Sequence, residues 1–243
     1  MTTPHPRSRR VNTPVNLRVI AWRGRDDVVL LGPAPGTTPS VQQLHNAIEG
    51  LRDAGVREVF TPALGPTEQI NFLSVGFVHH EHLHLLSHDL KVLPETPAKT
   101  SGRRLRRGRW RDYGAVLDVD GRAFDAFWHF DASALTEARR ATPTNRFRVS
   151  VETGGHGRSL SGYAITGRSR TTCYLQRLAV DPRHQRQGIG STLVCDALGW
   201  ARSRRVRKVL VNTQERNGNA LQLYLGLGFV QEPTGLDVLR WPA

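Results

Sequence analysis

Residues 178–194 read LAVDPRHQRQGIGSTLV. An apolar run delivers the chain to Asp181 and Pro182, a charged, amide-rich turn follows, and a second apolar run opens around Gly188, Ile189 and Gly190. Glycines between a strand and a helix let backbone N–H groups approach an anion without interference from a Cβ. The helix start adds the positive end of its dipole, about 0.3–1 kcal/mol per exposed anionic group. Arg183, His184 and Arg186 raise the local potential further. The stretch therefore predicts a strand, a phosphate-binding turn and a helix. Two common phosphate loops are excluded. There is no Gly-Lys-Ser/Thr ending of a Walker A loop, and none of residues 205–212 is the acid a dinucleotide fold would need.

The neighbouring segments extend this into a domain. "TCYLQRLAV" reads as the strand entering the turn, and residues 188–204 as the helix leaving it. "RKVLVNT" follows as a strand, "NALQLYLGLG" as a short helix and "LDVLRW" as a last strand. Upstream, "YGAVLDV" reads as a strand. "GRAFDAFWHFDASALTEARR" reads as a helix with Phe124, Phe127, Trp128 and Leu135 toward the core. "NRFRVSVET" and "RSLSGYAITGR" read as strands joined by "GGHG". The expected class is α/β, a mixed, mostly antiparallel sheet flanked by helices.

Gln185-x-x-Gly188-x-Gly190 after a strand, then Asn217-x-x-Ala220-x-x-x-Tyr224-x-x-x-Gly228-Phe229, resembles the GCN5-related N-acetyltransferase (GNAT) superfamily over about residues 110–243. The resemblance implies a GNAT fold and acetyl-CoA as cosubstrate, with no metal. Leu178, Ala179 and Val180 match the strand that pairs with the pantetheine arm. Gln185, Arg186, Gln187, Gly188, Ile189, Gly190 and Ser191 match the pyrophosphate cradle, and Asn217 a contact near the thioester. Tyr224 matches the general acid that protonates the departing thiolate, a reasonable role for a phenol of reference pKa about 10 facing a thiol of about 8.5. The implied reaction is direct attack of a neutral amine on the thioester. Many family members carry a glutamate on the central strand, where this chain has Gln176 and Arg177. Glu152, Glu215, Asp125 and His129 remain as candidate bases acting through water. The acceptor, a small amine, an amino acid or a protein N-terminus, is left open.

The rest of the chain adds a second, incomplete pattern. Residues 1–16 are polar with three prolines and are expected to be disordered. "LRVIAW" and "DVVLLGP" read as strands, "SVQQLHNAIEGLRDAG" as a helix, "REVFTPAL" as a strand, "GPTEQINFLSVG" as a short helix and "FVHHEHLHLLSH" as a strand. "VREVF…SVGFV" (56–78) parallels "VRKVL…GLGFV" (206–230), which places Phe72 opposite Tyr224. Residues 17–92 are therefore read as a degenerate GNAT-like half-domain, joined through a basic linker at 93–111 to a catalytic domain at 112–243. His80-Glu81-x-x-His84 matches the zinc-protease signature only in letters. On a strand the two histidines would stand about 13 Å apart, too far to share one zinc.

Composition bounds the remaining classes. The 243 residues carry a net charge of +13, and only Lys91, Lys99 and Lys208 among the 34 basic residues are lysines. An arginine skew is also what a GC-rich genome produces, so the charge alone does not specify a nucleic-acid partner. The alternative to an enzyme is a GNAT-fold binding module that holds acetyl-CoA, or RNA through residues 99–111. Cys173 and Cys195 are expected as free buried thiols in a reducing compartment. "MTTPHPRSRR" is basic, but no apolar stretch follows, and no run approaches the roughly 18 residues of a membrane helix. A cytoplasmic protein with no membrane contact is expected. No feature specifies an oligomeric state.

Overall fold

The computed structural model describes residues 15–22, 25–95, 102–152 and 159–242. The expected disorder of residues 1–16 (all but its last two), Lys99 and the "GGHG" turn lie outside them. The chain divides into two compact units. One comprises residues up to Leu83 together with those from Thr234 onward, and the other spans His84–Pro233.

The first unit is built from β1 (Leu17–Trp22), β2 (Arg25–Pro33), α1 (Val41–Asp53), β3 (Glu58–Phe60), α2 (Pro66–Ser74), the first part of β4 (Val78–His88) and the chain's last strand, β11 (Leu236–Trp241). Helix α1 starts at Ser40, whose Oγ accepts from Gln43 N–H while the Gln43 side chain accepts from Ser40 N–H. That reciprocal cap satisfies two N–H groups with no partner inside the helix. Leu44, Ala47, Ile48 and Leu51 recur at helical spacing and are buried against Leu31, Phe72 and Leu239. Strand β2 pairs antiparallel with β1 and parallel with β3. Strand β11 pairs antiparallel with β3 and with β4.

The second unit carries β5 (Arg103–Arg107), a 3-10 turn (Trp110–Asp112), α3 (Tyr113–Ala123), α4 (Ala132–Arg140), β6 (Thr144–Glu152), β7 (Leu160–Ser169), β8 (Thr172–Val180), α5 (Ile189–Ser203), β9 (Lys208–Gln214), α6 (Gly218–Gly226) and β10 (Val230–Gln231). Strands β5 to β8 pair antiparallel in sequence order, β8 and β9 pair parallel, and β10 pairs with Leu86 and Ser87. Alternate β7 residues feed two cores. Tyr163 and Ile165 pack with Val116, Val119 and Leu135 of α3 and α4, whereas Ala164 packs with Leu193 and Leu198 of α5. The class is α/β, as expected, with helices on both faces of a mostly antiparallel sheet. Among the described residues no helix is long and apolar enough to cross a membrane. Both cysteines are free and buried.

Four expectations are corrected. "YGAVLDV" is helical, because Val116, Val119 and Asp120 are spaced by three and four residues and face the sheet buried. Residues 121–140 are not one helix. The chain turns extended at Phe124, and α4 restarts at Asp131, whose carboxylate accepts from Ala134 N–H at 2.7 Å. Phe124, Phe127 and Trp128 are therefore half-buried in a connecting loop, and only Leu135 is fully in the core. The segment expected as a linker holds an edge strand, β5, in which Arg103 pairs with Glu152 and Arg107 with Arg148. Finally, "LDVLRW" is a strand, but its partners are β3 and β4 of the first unit. The division thus falls at Leu83 and Thr234, away from the charged segment.

Candidate active site

Strand β8 carries a bulge at Gln176, where the register against β7 shifts between Ile165 and Thr166. The extra residue switches faces. Cys173 and Leu175 belong to the α5 core, while Ala179 belongs to the α3 core. Parallel pairing with β9 ends at Tyr174↔Leu210. Leu178, Ala179 and Val180 pair with Ala164, Tyr163 and Gly162 on one side and have no strand on the other among the described residues. Such an edge presents unpaired N–H and C=O groups to an extended ligand.

The turn that follows is held from beneath. Asp181, fully buried, accepts from the backbone N–H of Arg183 at 3.0 Å, from its guanidinium at 2.7 and 3.0 Å, and from Arg122 Nε at 2.9 Å. The Arg183 hydrogen bonds, with help from Arg122, hold the carboxyl well below the usual carboxylate range. Above this anchor Gln185, Arg186 and Gln187 are exposed. Arg186 (φ 61°) and Gly188 (φ 75°) both take the left-handed conformation. Gly188 is the N-cap of α5 and offers no side chain to its first N–H groups, and the first helical bond is Thr192 N–H to Gly188 C=O at 2.9 Å. A fifteen-residue helix thus begins with free donors and the positive end of its dipole. Gly190 serves another purpose. A Cβ there would lie 3.2 Å from Leu223 Cδ2, so this glycine lets α5 and α6 pack. Ile189 is buried, and Ser191 stands half-exposed in the first turn.

Arg103 reaches this turn from β5. Its guanidinium donates to Gln187 Oε1 and, at 3.1 Å, to His184 Nδ1, with Glu152 at 3.4 Å. On α6, Tyr224 is only 4% exposed, and its hydroxyl has no partner among the described residues. Burial raises its pKa above the ordinary phenol value, with the charge of Arg177 opposing the shift. Asn217 is the N-cap of the same helix, and its Oδ1 accepts from Ala220 N–H at 3.1 Å. An open strand edge, an uncapped helix start and a lone buried phenol fit a ligand with an anionic group and an extended arm.

The Acetyltransferase (GNAT) family model matches residues 110–229, about half of the chain. The chain belongs to the GNAT family. Over 74 residues it is 36% identical to human N-alpha-acetyltransferase 30, a match covering 28% of this chain and 20% of that protein. The chain thus spans about a fifth of the length of that relative. The fold resembles a GCN5-related N-acetyltransferase from Sphaerobacter thermophilus (TM-score 0.63, 17% identity, 92% of this chain and 75% of that one). It also resembles a tandem GNAT protein from the clavulanic acid biosynthesis pathway (TM-score 0.63, 14% identity, 92% and 77%).

Within this GNAT unit the sequence reading missed a buried polar cluster. Arg177 donates to both carboxylate oxygens of Asp120 at 2.8 and 2.7 Å and to the Trp128 carbonyl at 2.8 Å. Phe124 and Phe130 sandwich it, with ring centroids 3.5 and 3.9 Å from the guanidinium carbon. Tyr163 donates its hydroxyl to Asp120 as well. The signal was present in the sequence as an acid on the apolar face of 113–123, but reading that segment as a strand hid the face. Of the four candidate bases, Asp125 is paired with Arg216 at 2.9 Å and Glu152 with Arg103. His129 is half-buried and Glu215 exposed, and neither makes an ion pair among the described residues.

Proposed function

We propose that this chain is an acetyl-CoA-dependent N-acetyltransferase acting on a primary amine, a small molecule or a protein N-terminus. The carrying observation is the presence of three features in one unit: the β8 edge beyond Tyr174, the uncapped start of α5 at Gly188, and the buried Tyr224 side chain, whose hydroxyl has no hydrogen bond among the described residues. Bound acetyl-CoA supplies the activated acyl group. In this reading residues 185–191 bind its pyrophosphate, and the backbone of Leu178, Ala179 and Val180 aligns its arm and polarises the carbonyl. Asn217 contributes only its amide N–H groups, since Oδ1 caps α6. Tyr224 holds the proton for the leaving sulfur. Its raised pKa keeps it protonated through neutral and mildly alkaline pH. With Asp125 and Glu152 engaged by arginines, proton removal from the amine falls to His129 or Glu215 through water.

The first unit is proposed to be a degenerate copy of the C-terminal half of the second. It repeats the order α1, β3, α2, β4 as α5, β9, α6, β10, and its β2/β3 parallel pair repeats β8/β9. Phe72 stands in place of Tyr224. Prolines at 33, 35 and 39 remove amide donors where a cradle would need them.

The test is a calorimetric titration with acetyl-CoA of the wild type and a Gly188→Trp variant, followed by turnover on a panel of amines that includes N-terminal peptides. Binding lost in the variant, with acetylation of at least one amine, supports the assignment. Absence of binding in the wild type overturns it.

A further inference from the structure

The end of the second unit opposite the α5 start carries a different charge pattern. Three segments meet there through backbone contacts. Thr144 pairs with Arg168, Arg207 N–H donates to the Thr171 carbonyl at 2.7 Å, and Thr172 pairs with Lys208. Residues 139–148, 166–174 and 200–210 hold eleven of the 34 basic residues and none of the 21 acidic ones. A genome-wide bias toward arginine would spread these residues along the chain, so their concentration at one pole needs another cause. Arg146 and Arg148 are spoken for by Asp196 of α5. Arg140, Arg170, Arg202, Arg204, Arg205, Arg207 and Lys208 are exposed, with no carboxylate partner among the described residues.

The α5 dipole accounts for part of this, since cations are favoured near a helix C-terminus, but only Arg202 lies in its last turn. Backbone geometry supplies a second observation. Of four non-glycine residues with positive φ among the described residues, three are arginines: Arg186 in the α5 turn, and Arg170 (φ 51°) and Arg205 (φ 55°) in the two turns of this pole. Glycine or asparagine is the ordinary occupant of such positions. Arginine there trades backbone ease for a cation at the apex of each turn.

We propose that this pole is a docking surface for nucleic-acid backbone, taking the phosphates of a single-stranded RNA. Guanidinium groups match phosphate oxygens bidentately, and seven exposed cations spread over three segments suit a polymer of regularly spaced anions. None of these segments exposes a large aliphatic side chain that could enter a membrane. The surface is independent of the proposed acetyl-CoA site.

The test is fluorescence anisotropy with a fluorescein-labelled, mixed-sequence 20-nucleotide RNA between 50 and 300 mM salt. Three proteins are compared: wild type, Arg170→Glu/Arg205→Glu/Arg207→Glu, and the charge-matched control Arg104→Glu/Arg107→Glu/Arg109→Glu. Wild-type affinity should fall with a log–log slope of about −3 or steeper, at about −0.7 per phosphate contacted. The pole variant should lose at least tenfold in affinity and the control less than threefold. Equal loss in both variants, or no binding at 50 mM salt, overturns the proposal. So does pole-dependent binding to phosphatidylserine vesicles without RNA binding. Thermal melts of the three proteins report folding, and failure of all three to bind acetyl-CoA would strike the acetyltransferase reading while leaving this one standing.

Discussion

The turns that close α2 and α6 share one backbone hydrogen-bond pattern and differ in the aromatic residue that anchors it, Phe72 in one and Tyr224 in the other. In the first unit Phe72 accepts through its carbonyl from Val75 and Phe77 N–H, Gly76 turns left-handed at φ 96°, and the Phe72 and Phe77 rings meet edge-on at 5.3 Å. In the second, Tyr224 accepts from Leu227 and Phe229 N–H, Gly228 turns at φ 83°, and the Tyr224 and Phe229 rings lie 5.5 Å apart. The same local scaffold therefore carries a closed ring in one unit and a hydroxyl in the other. The scaffold needs an aromatic ring, whereas the proposed chemistry needs the oxygen.

Substitutions can break this comparison in graded steps. Phe72→Ala empties a fully buried site and should cost about 3–5 kcal/mol, visible as an early transition of the first unit in chemical denaturation. Tyr224→Phe turns one site into the other. Turnover should fall at least about 10²-fold with the melting temperature nearly unchanged, and unchanged turnover would remove the hydroxyl from the mechanism. The reverse change, Phe72→Tyr, buries an unpaired hydroxyl and should destabilise by about 1–3 kcal/mol with no gain in turnover.

Smaller effects sharpen the picture of the α5 turn. Asp181→Asn removes a carboxylate whose pKa is depressed chiefly by Arg183, so its stabilisation is present above the ordinary carboxylate pKa of about 4 and is lost as pH falls toward the folded value. The melting difference between wild type and variant should be full at neutral pH and shrink as acid is added below about pH 4. The two glycines should separate last. Gly188→Ala forces a side chain to φ 75°, at a cost of about 1–2 kcal/mol. Gly190→Ala asks only that Leu223 yield a few tenths of an ångström. Calorimetry with acetyl-CoA and thermal melts should rank Gly188→Ala as the worse by both measures.

Legibility in the sequence followed the range of the interactions. β8 and its turn were readable because apolar alternation, Pro182 and Gly188 act locally. Tyr224 and Asn217 were singled out by the family resemblance, and what the structure adds is that one helix, α6, carries Tyr224 and is capped by Asn217. The α3 segment misled because Gly114 and Gly121 weaken a helical pattern whose buried face is short, and a polar Asp120 sits on it. Arg103 hid inside "GRRLRRGR", where charge masks a strand with one inward leucine, Leu105. The partner of β11 could not be read at all. Its alternation announces a strand, but nothing local says which unit it joins.

That last strand sets an order of assembly. Arg240 pairs with Phe60, 180 positions earlier, and Leu239 is fully buried in the first unit's core. On a ribosome adding about 5–20 residues per second, the N-terminal sheet waits at least several seconds for its missing strand. The unit that begins first therefore finishes last, and the proposed acetyltransferase unit can complete its own sheet while its neighbour still holds an open edge between β3 and β4.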